Sequence, residues 1–277
     1  MSTVLTWLYV PGDRPEVVAK ALHSGADVVL VDLEDAVAPD RKAYALDATA
    51  ELLASGAPGP SPVHVRINAL NGPLAEHEVR TLAPLPGLAG LRLPKTDSAD
   101  QVRAVAAWAA DAPAELPLFP LLESALGIEY AYEIATATQS VRGLALGEAD
   151  LRADLGIADE TGLAWPRSRV VVAARAAGLV PPAQSVYPNV RDLEGLAASC
   201  ARGRALGFLG RTAIHPRQLP VIERAFLPTA QDLEAAEEIV KAAATDSGAL
   251  ALPDGRFVDA AVVEGAQRTL ALAARLR

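Results

Sequence analysis

Three carboxylates crowd residues 143–156, GLALGEADLRADLG, where the apolar Leu144-Ala145-Leu146 runs straight into Gly147, Glu148, Asp150 and Asp154. A fourth, Glu123, interrupts the apolar run FPLLES, and Arg66 does the same in VHVRIN. A charge embedded in an apolar run costs on the order of several kcal/mol unless a partner or ligand compensates it. Glu123 and Asp150, with no His or Cys beside them in sequence, are a donor set for a hard, oxygen-seeking cation. Mg²⁺ characteristically takes one or two carboxylates, keeps waters and borrows its other ligands from a substrate. The same two acids suit helix N-termini, because Asp150 precedes LRADLG and acids favour a first helical turn. Spacing alone leaves both readings open. Arg14 follows VPG and precedes Pro15, a good first helical residue, so its guanidinium can lie near a helix N-terminus and a bound phosphate. Lys20 falls within the same helix, where an ordinary solvated charge is the competing reading.

These residues share a placement. Eight β-rich runs recur along the chain, over residues 4–10, 27–34, 62–68, 88–95, 116–123, 141–148, 182–187 and 211–216, and stretches with apolar positions three or four apart lie between them. Several of those stretches stop at a glycine, at Gly25, Gly56, Gly178 and Gly207. Strand and helix alternating eight times predicts a parallel sheet with right-handed crossovers, and eight units close a (β/α)₈ barrel. A doubly wound open sheet is the runner-up, disfavoured because the first strand-to-helix turn, VPGDRPE, lacks the G-x-G-x-x-G of a dinucleotide fold. In a barrel the chemistry sits at the C-terminal ends of the strands. Those ends carry Arg14, then Asp32, Glu34 and Asp35, then Arg66 and Asn68, Lys95, Glu123, Glu148 and Asp150, Tyr187 and Asn189, and His215. Polar residues are expected wherever one strand meets water, but charge at nearly every strand end points to a shared site.

The composition agrees. Of 277 residues, 51% are hydrophobic but only 4% aromatic, so the core must be built from Ala, Val, Leu and Ile, as helices packed on parallel strands require. A net charge of -9 argues against a nucleic-acid partner, which needs a concentrated basic surface, and leaves room for an anionic small molecule where basic residues cluster locally. No window reaches the roughly 18 uncharged apolar residues of a membrane span, so a cytoplasmic location is expected. The single Cys200 lies in an amphipathic stretch and reads as structural. After residue 230 a helix, a hairpin-like excursion around Asp254-Gly255 and a final helix fall outside the eight-unit count. Residues 1–230 are thus read as the barrel and 231–277 as a helical and lid extension of the same domain.

Taken in order, LYVPGDRPEVVAKAL, GADVVLVDLEDAVAPDRK, VRIN, LPK, LLESALGIEYAYEIA, LALGEADLRADLG, VVVAARAAGL, VYPNVRDLEGL and GRALGFLGRTAIHPRQL closely resemble the citrate lyase β-subunit-like (CitE-like) branch of the HpcH/HpaI aldolase superfamily. The resemblance spans nearly the whole chain. It implies a (β/α)₈ TIM barrel of the phosphoenolpyruvate/pyruvate type, commonly a homotrimer, that cleaves or forms C–C bonds in acyl-CoA thioesters with Mg²⁺, Mn²⁺ being a possible substitute. By matching position it implies Glu123 and Asp150 as metal ligands, Arg66 as the clamp on the substrate carboxylate, and Tyr9, Arg14 and Lys20 as contacts to CoA. The tail segment GRFVD resembles a lid whose acid, Asp259, reaches a neighbouring subunit's site. His215 of IHP is a further candidate near the thioester, and Ala149 can offer a backbone N–H to the substrate. Gln184 stands where many relatives carry an acid, which puts any charge-dependent role there in doubt.

A retro-Claisen cleavage fits this set. A 3-hydroxyacyl thioester, citryl-, malyl- or citramalyl-CoA, loses its hydroxyl proton as the adjacent C–C bond breaks, leaving a 2-oxo acid and a thioester enolate that must be protonated. Asp259 is the first choice for that acid or base and the Glu34/Asp35 pair the second, these two otherwise orienting metal-bound water or Arg66. Three alternatives remain: a metal-dependent aldolase acting on free 2-oxo acids, a subunit that works only inside a citrate lyase complex with α and carrier subunits, and a non-catalytic module.

Overall fold

The structure is a computed structural model, which describes residues 3–56, 58–245, 250–251 and 255–276. Two compact units divide the chain, Val4–Ala225 and Phe226–Arg277, the second including Thr3.

The first unit is the barrel. Its strands are β1 (Thr6–Pro11), β2 (Val28–Asp32), β3 (Val63–Arg66), β4 (Leu88–Leu93), β5 (Leu118–Leu122), β6 (Ala145–Leu146) and β7 (Arg211–Ala213), all parallel, in the order β6-β5-β4-β3-β2-β1-β7. The run read as a seventh strand, residues 182–187, is reduced to two single-residue parallel bridges. Ala183 pairs with Ala145 of β6, and Gln184 with Arg211 of β7, which joins the two edges of the sheet. The cause is local, because Pro181 precedes this run and Pro182 opens it, and neither can donate to a ladder. The reading of strand six over residues 141–148 likewise shrinks to Ala145–Leu146, because helix α7 (Glu148–Leu155) begins immediately after Gly147.

Crossovers are helical: α1 (Pro15–Ala21), α2 (Lys42–Ala54), α3 (Ala75–Leu82), α4 (Ala99–Trp108), α5 (Ala125–Glu129), α6 (Ala131–Ala135), α7, α8 (Ala164–Ala176) and α9 (Leu193–Ala205), followed by α10 (Leu219–Phe226). Caps set their starts. Ser98 and Gln101 form a reciprocal capping box on α4, and Asp192 caps α9. The glycine stops read from sequence, Gly25, Gly56, Gly178 and Gly207, all take positive φ.

Strand periodicity sorts the side chains. The register aligns Pro11, Asp32, Arg66, Arg92 and Phe119 in one row across five strands, and Tyr9, Leu30, His64 and Gly90 in the row two residues before it. Aligned residues share a face, and Tyr9, Asp32, Arg66 and Arg92 line the barrel's cavity, so both rows point inward. The alternate positions Val29, Val31, Val65, Leu91 and Leu93 are fully buried on the opposite face, the one that the crossover helices cover. The inward-facing rows therefore carry Asp32, Arg66, Arg92 and His64 among apolar neighbours, an unusual use of a core and one that a ligand site explains.

The second unit holds α11 (Ala230–Thr245), a short antiparallel hairpin of β8 (Leu250–Ala251) and β9 (Phe257–Val258), and α12 (Ala260–Leu272), with α11 packed on α12. The hairpin-like excursion is present as that pair, with Gly255 in its connection; Asp254 lies outside the described residues. No helix among the described residues is long and apolar enough to cross a membrane.

Candidate active site

A cavity of about 380 Å³ opens at the C-terminal ends of the strands, and its lining includes Tyr9, Asp32, Asp35, Arg66, Glu123, Ala149 and Asp150. Residues 141 positions apart in sequence, Tyr9 and Asp150, and 205 apart, Tyr9 and Ile214, meet there because parallel strands present all their ends on one side.

Glu123 is a buried acid, 3% exposed. Burial, and the nearby negative charge of Asp150, push its pKa up to about 8, against the pull of a hydrogen bond from the Lys95 N–H. That N–H lies 2.7 Å from Glu123 Oε1. Lys95 delivers it from a left-handed backbone with φ +48°, the one non-glycine residue with positive φ among the described residues. Such conformations cost about 1–3 kcal/mol and persist where the surroundings enforce them. Gly147 presses on Glu123 from the other side, so closely that a Cβ there would lie 2.3 Å from Glu123 Oε2. Asp150 is exposed in the first turn of α7.

Neither acid caps its helix. Ser124 caps α5 through the Gly127 N–H, and α7 starts at Gly147 without a side-chain cap. With capping removed, the donor chemistry is that of two carboxylates on one cavity, a space kept open by a missing Cβ and free of competing soft ligands. These residues fit a hard divalent cation such as Mg²⁺. Among the described residues no cluster of three or more His, Cys, Asp or Glu could hold a metal ion by itself. A site here would therefore be completed by water and substrate.

Arg66 anchors the second half of the cavity. Its Nε and Nη2 donate to the two oxygens of Asp32 at 2.7 and 2.6 Å, Nη1 stands 3.0 Å from Glu34 and 3.4 Å from Asp35, and the guanidinium lies 4.9 Å above the Tyr9 ring. The Lys95 ammonium pairs with Glu34 and approaches Asp35 at 3.5 Å. Glu34 is buried, which raises its pKa, and Arg66 and Lys95 oppose that rise. Glu34 and Asp35 therefore belong to one network with Arg66 and Lys95. Asp32 holds the loop after β2 by accepting the N–H groups of Glu34 and Ala36. Lys42 pins the same loop through the carbonyls of Leu33 and Glu34.

The other residues read from sequence fall in different places. Ala149 lines the cavity at the second residue of α7, where helix amides have no intrahelical acceptor. Tyr9 is part of the cavity wall beneath Arg66, whereas Arg14 and Lys20 lie on the exposed surface of α1 and its entry and do not line the cavity. His215 is half-buried and heads the short turn Pro216–Gln218, its Nδ1 accepting the Arg217 N–H at 3.1 Å; its neighbour Ile214 lines the cavity, and it does not. Asn68 is a brace, held by Glu78. Glu148 takes both oxygens to Arg167 at 2.8 Å, and Asp154 accepts the Ala125 N–H at 2.7 Å, so both serve the frame. Tyr187 donates to Asp192, and Asn189 accepts from the Arg191 N–H within a turn. Gln184 faces the helical layer, bonded to the Ser199 carbonyl and to Arg211, so no acid at this position would have entered the cavity by the same path. Cys200 is buried beside Arg211, in keeping with a structural role. Asp259 caps α12 through the Val262 N–H at 3.0 Å.

Arg92 lines the cavity and was not singled out from sequence. The signal was available, since Arg92 interrupts LAGLRLP as Arg66 interrupts VHVRIN.

Comparisons with known proteins fit this geometry. The family model described as HpcH/HpaI aldolase/citrate lyase matches residues 5–216, and one described as a C–C bond lyase of the TIM-barrel fold matches residues 173–261. Citrate lyase subunit beta of Leuconostoc mesenteroides subsp. cremoris is 32% identical over 97% of this chain and 92% of its own length. A (3S)-malyl-CoA thioesterase of Cereibacter sphaeroides is 34% identical, over 96% of this chain and 93% of its own. The crystal structure of CitE from Mycobacterium tuberculosis, in complex with magnesium, acetoacetate and coenzyme A, superposes with a TM-score of 0.84 at 32% identity, covering 98% of each chain. The chain belongs to the HpcH/HpaI aldolase/citrate lyase family.

Proposed function

We propose that the protein is a Mg²⁺-dependent carbon–carbon lyase that cleaves, or in reverse forms, a 3-hydroxyacyl-CoA thioester of the citryl, malyl or citramalyl kind. The observation that carries this reading is the convergence of Glu123 and Asp150 with the Arg66 network on one cavity at the strand ends. Magnesium, when bound by Glu123 and Asp150, supplies Lewis-acid stabilisation of the oxygen that becomes the ketone of the 2-oxo acid.

The chain's own residues do the rest. Arg66, held rigid by Asp32, orients the substrate carboxylate so that one C–C bond is aligned for scission. The amide of Ala149 offers a donor at the start of α7. As the hydroxyl proton leaves to a base, the C–C bond electrons pass to the thioester as an enolate, and protonation of its α-carbon completes acyl-CoA. Asp259 of a neighbouring subunit is our first assignment for that proton, with Glu34 and Asp35 as the second. Tyr9, Arg14 and Lys20 are assigned to CoA, and His215 to the thioester end. A homo-oligomer, a homotrimer by the resemblance, is part of this proposal, and so is a cytoplasmic location. Trp165 and Val172 on α8, with Leu126 and Tyr130 at the neighbouring α5, are exposed apolar side chains available for subunit contact.

The test is cleavage of a citryl-, malyl- and citramalyl-CoA panel with Mg²⁺, following both 2-oxo acid and acyl-CoA. Turnover abolished by EDTA and by Glu123→Ala or Asp150→Ala, with the fold intact by circular dichroism, is the expected outcome. Full activity of Asp150→Ala in EDTA would refute the metal assignment. Release of free CoA without acyl-CoA would identify a thioesterase. The relative named citrate lyase subunit beta supports a second reading, action on a carrier-bound acyl group within a complex. Activity that appears only when a carrier protein is added would select it.

A further inference from the structure

The cavity holds two guanidinium groups in very different electrostatic company. Arg66 is matched by three carboxylates, Asp32, Glu34 and Asp35. Arg92 stands next to it in the inward-facing row, paired in register with Arg66 on one side and Phe119 on the other. It is 3% exposed, lines the cavity, and among the described residues its guanidinium enters no hydrogen bond and no ion pair. Its Nε is fully enclosed with no partner. The Phe119 ring lies 5.6 Å from the guanidinium carbon, and Tyr9 and Glu123 act on the charge only through space, without a hydrogen bond or an ion pair. His64, in the row below, cannot help, because burial and the Arg92 charge keep its imidazole neutral. A buried cation without an anion is costly enough that proteins rarely retain one unless a ligand completes it.

We propose that Arg92 binds the distal carboxylate of a 2-oxo diacid, so that the site selects an oxaloacetate-class product over monocarboxylic 2-oxo acids such as pyruvate and glyoxylate. This inference rests on the proposed lyase reading for the placement of the 2-oxo acid end at Glu123, Asp150 and Arg66. It adds the partner for the remaining charge. A diacid bridging Arg66 and Arg92 uses the cavity guanidinium that is unpaired among the described residues, and the Arg–carboxylate geometry favours a paired contact. A monocarboxylic acid leaves Arg92 uncompensated, the kind of loss by which sites built for a polar group reject analogues that lack it.

The experiment is calorimetric binding of freshly prepared oxaloacetate and of pyruvate to the Mg²⁺-loaded full-length protein, repeated as thermal-shift protection without Mg²⁺. The wild type is expected to prefer oxaloacetate at least about tenfold. Arg92→Met should lower oxaloacetate affinity about tenfold or more while leaving pyruvate within about twofold, Arg92→Lys should recover part of the preference, and Arg66→Lys should weaken both acids alike. Equal binding of the two acids by the wild type, or a parallel loss of both in Arg92→Met and Arg92→Lys, would overturn the proposal and reduce Arg92 to an internal counter-charge. Should Arg92→Met fail to fold, the wild-type preference and Arg92→Lys decide. Diacid selectivity in a protein inactive on every thioester would sink the lyase reading and leave this site standing; lyase activity without that selectivity would do the reverse.

Discussion

Glu123 and Gly147 form the tightest residue-level coupling in the cavity. A methyl group at position 147 would fall 2.3 Å from Glu123 Oε2 and 2.6 Å from its Cβ, so Gly147→Ala must displace the carboxylate. The φ of Gly147 is -98°, which alanine adopts freely, and the cost therefore lands on the site and not on the backbone. We expect Gly147→Ala to raise the Mg²⁺ concentration for half-maximal activity about tenfold or more, read from a metal titration, with only a modest change in urea midpoint. His64 makes a second residue-scale prediction. Burial, then the Arg92 charge, lower its pKa from 6.5 to about 3. Above pH 6.5 the imidazole is neutral in both folded and unfolded chains and contributes no pH dependence. Below it the unfolded chain gains a proton that the fold refuses, so stability falls as pH drops from 6.5 towards 3. Between pH 7 and 5.5 the wild type should lose about 1.2 kcal/mol more than His64→Phe in equilibrium urea unfolding. Identical pH slopes would show that His64 is not the titrating group.

At the scale of elements, the weakest point of the barrel is its closure between β6 and β7. Two single bridges at Ala183 and Gln184 do the work of a strand, and Gly210 makes the approach to β1 possible. Gly210 has φ +78°, and a Cβ there would lie 2.4 Å from the Leu5 carbonyl oxygen. Gly25 has a similar φ, +83°, with nothing within 4 Å. Comparing the two separates backbone strain from collision. Gly25→Ala should cost about 1 kcal/mol, and Gly210→Ala at least about 2 kcal/mol more, because the main chain at Leu5, which leads into β1, must also move. Equal losses would mean that the closure absorbs a methyl group without moving. The loop after β4 is the matching element on the catalytic side. Its left-handed Lys95 sends an amide to Glu123 and an ammonium to Glu34, tying the two halves of the cavity through one residue.

At the scale of the whole molecule, the proposed source of the last proton is Asp259 of a neighbouring subunit. Asp259 serves as the N-cap of α12, a role that asparagine also fills. Asp259→Asn therefore removes the acid while keeping the cap. If Asp259 works across a subunit boundary, mixed oligomers of inactive Asp259→Asn and inactive Asp150→Ala chains should regain some turnover, since one site in the mixture combines both intact residues. Absence of complementation in oligomers confirmed as mixed by native mass spectrometry would return the role to Glu34 and Asp35.

The (β/α)₈ alternation was legible in the sequence because it rests on periods of two and of three to four residues, which are local steric facts, and helix stops at glycine are local in the same way. Arg66 and Glu123 stood out for a similar reason, as charges inside apolar runs. What those charges meet was decided only by the tertiary structure. Arg66 finds Asp32 34 residues away, and the Lys95 amide finds Glu123 28 residues away, both through register between parallel strands joined by helices. Register across a crossover leaves no trace in a window of neighbouring residues. The sequence shows Arg66 and Arg92 as the same kind of interruption in the same kind of run. The fold pairs one with three carboxylates and pairs the other with none among the described residues, because the loop after β2 that carries Glu34 and Asp35 reaches Arg66 and not Arg92.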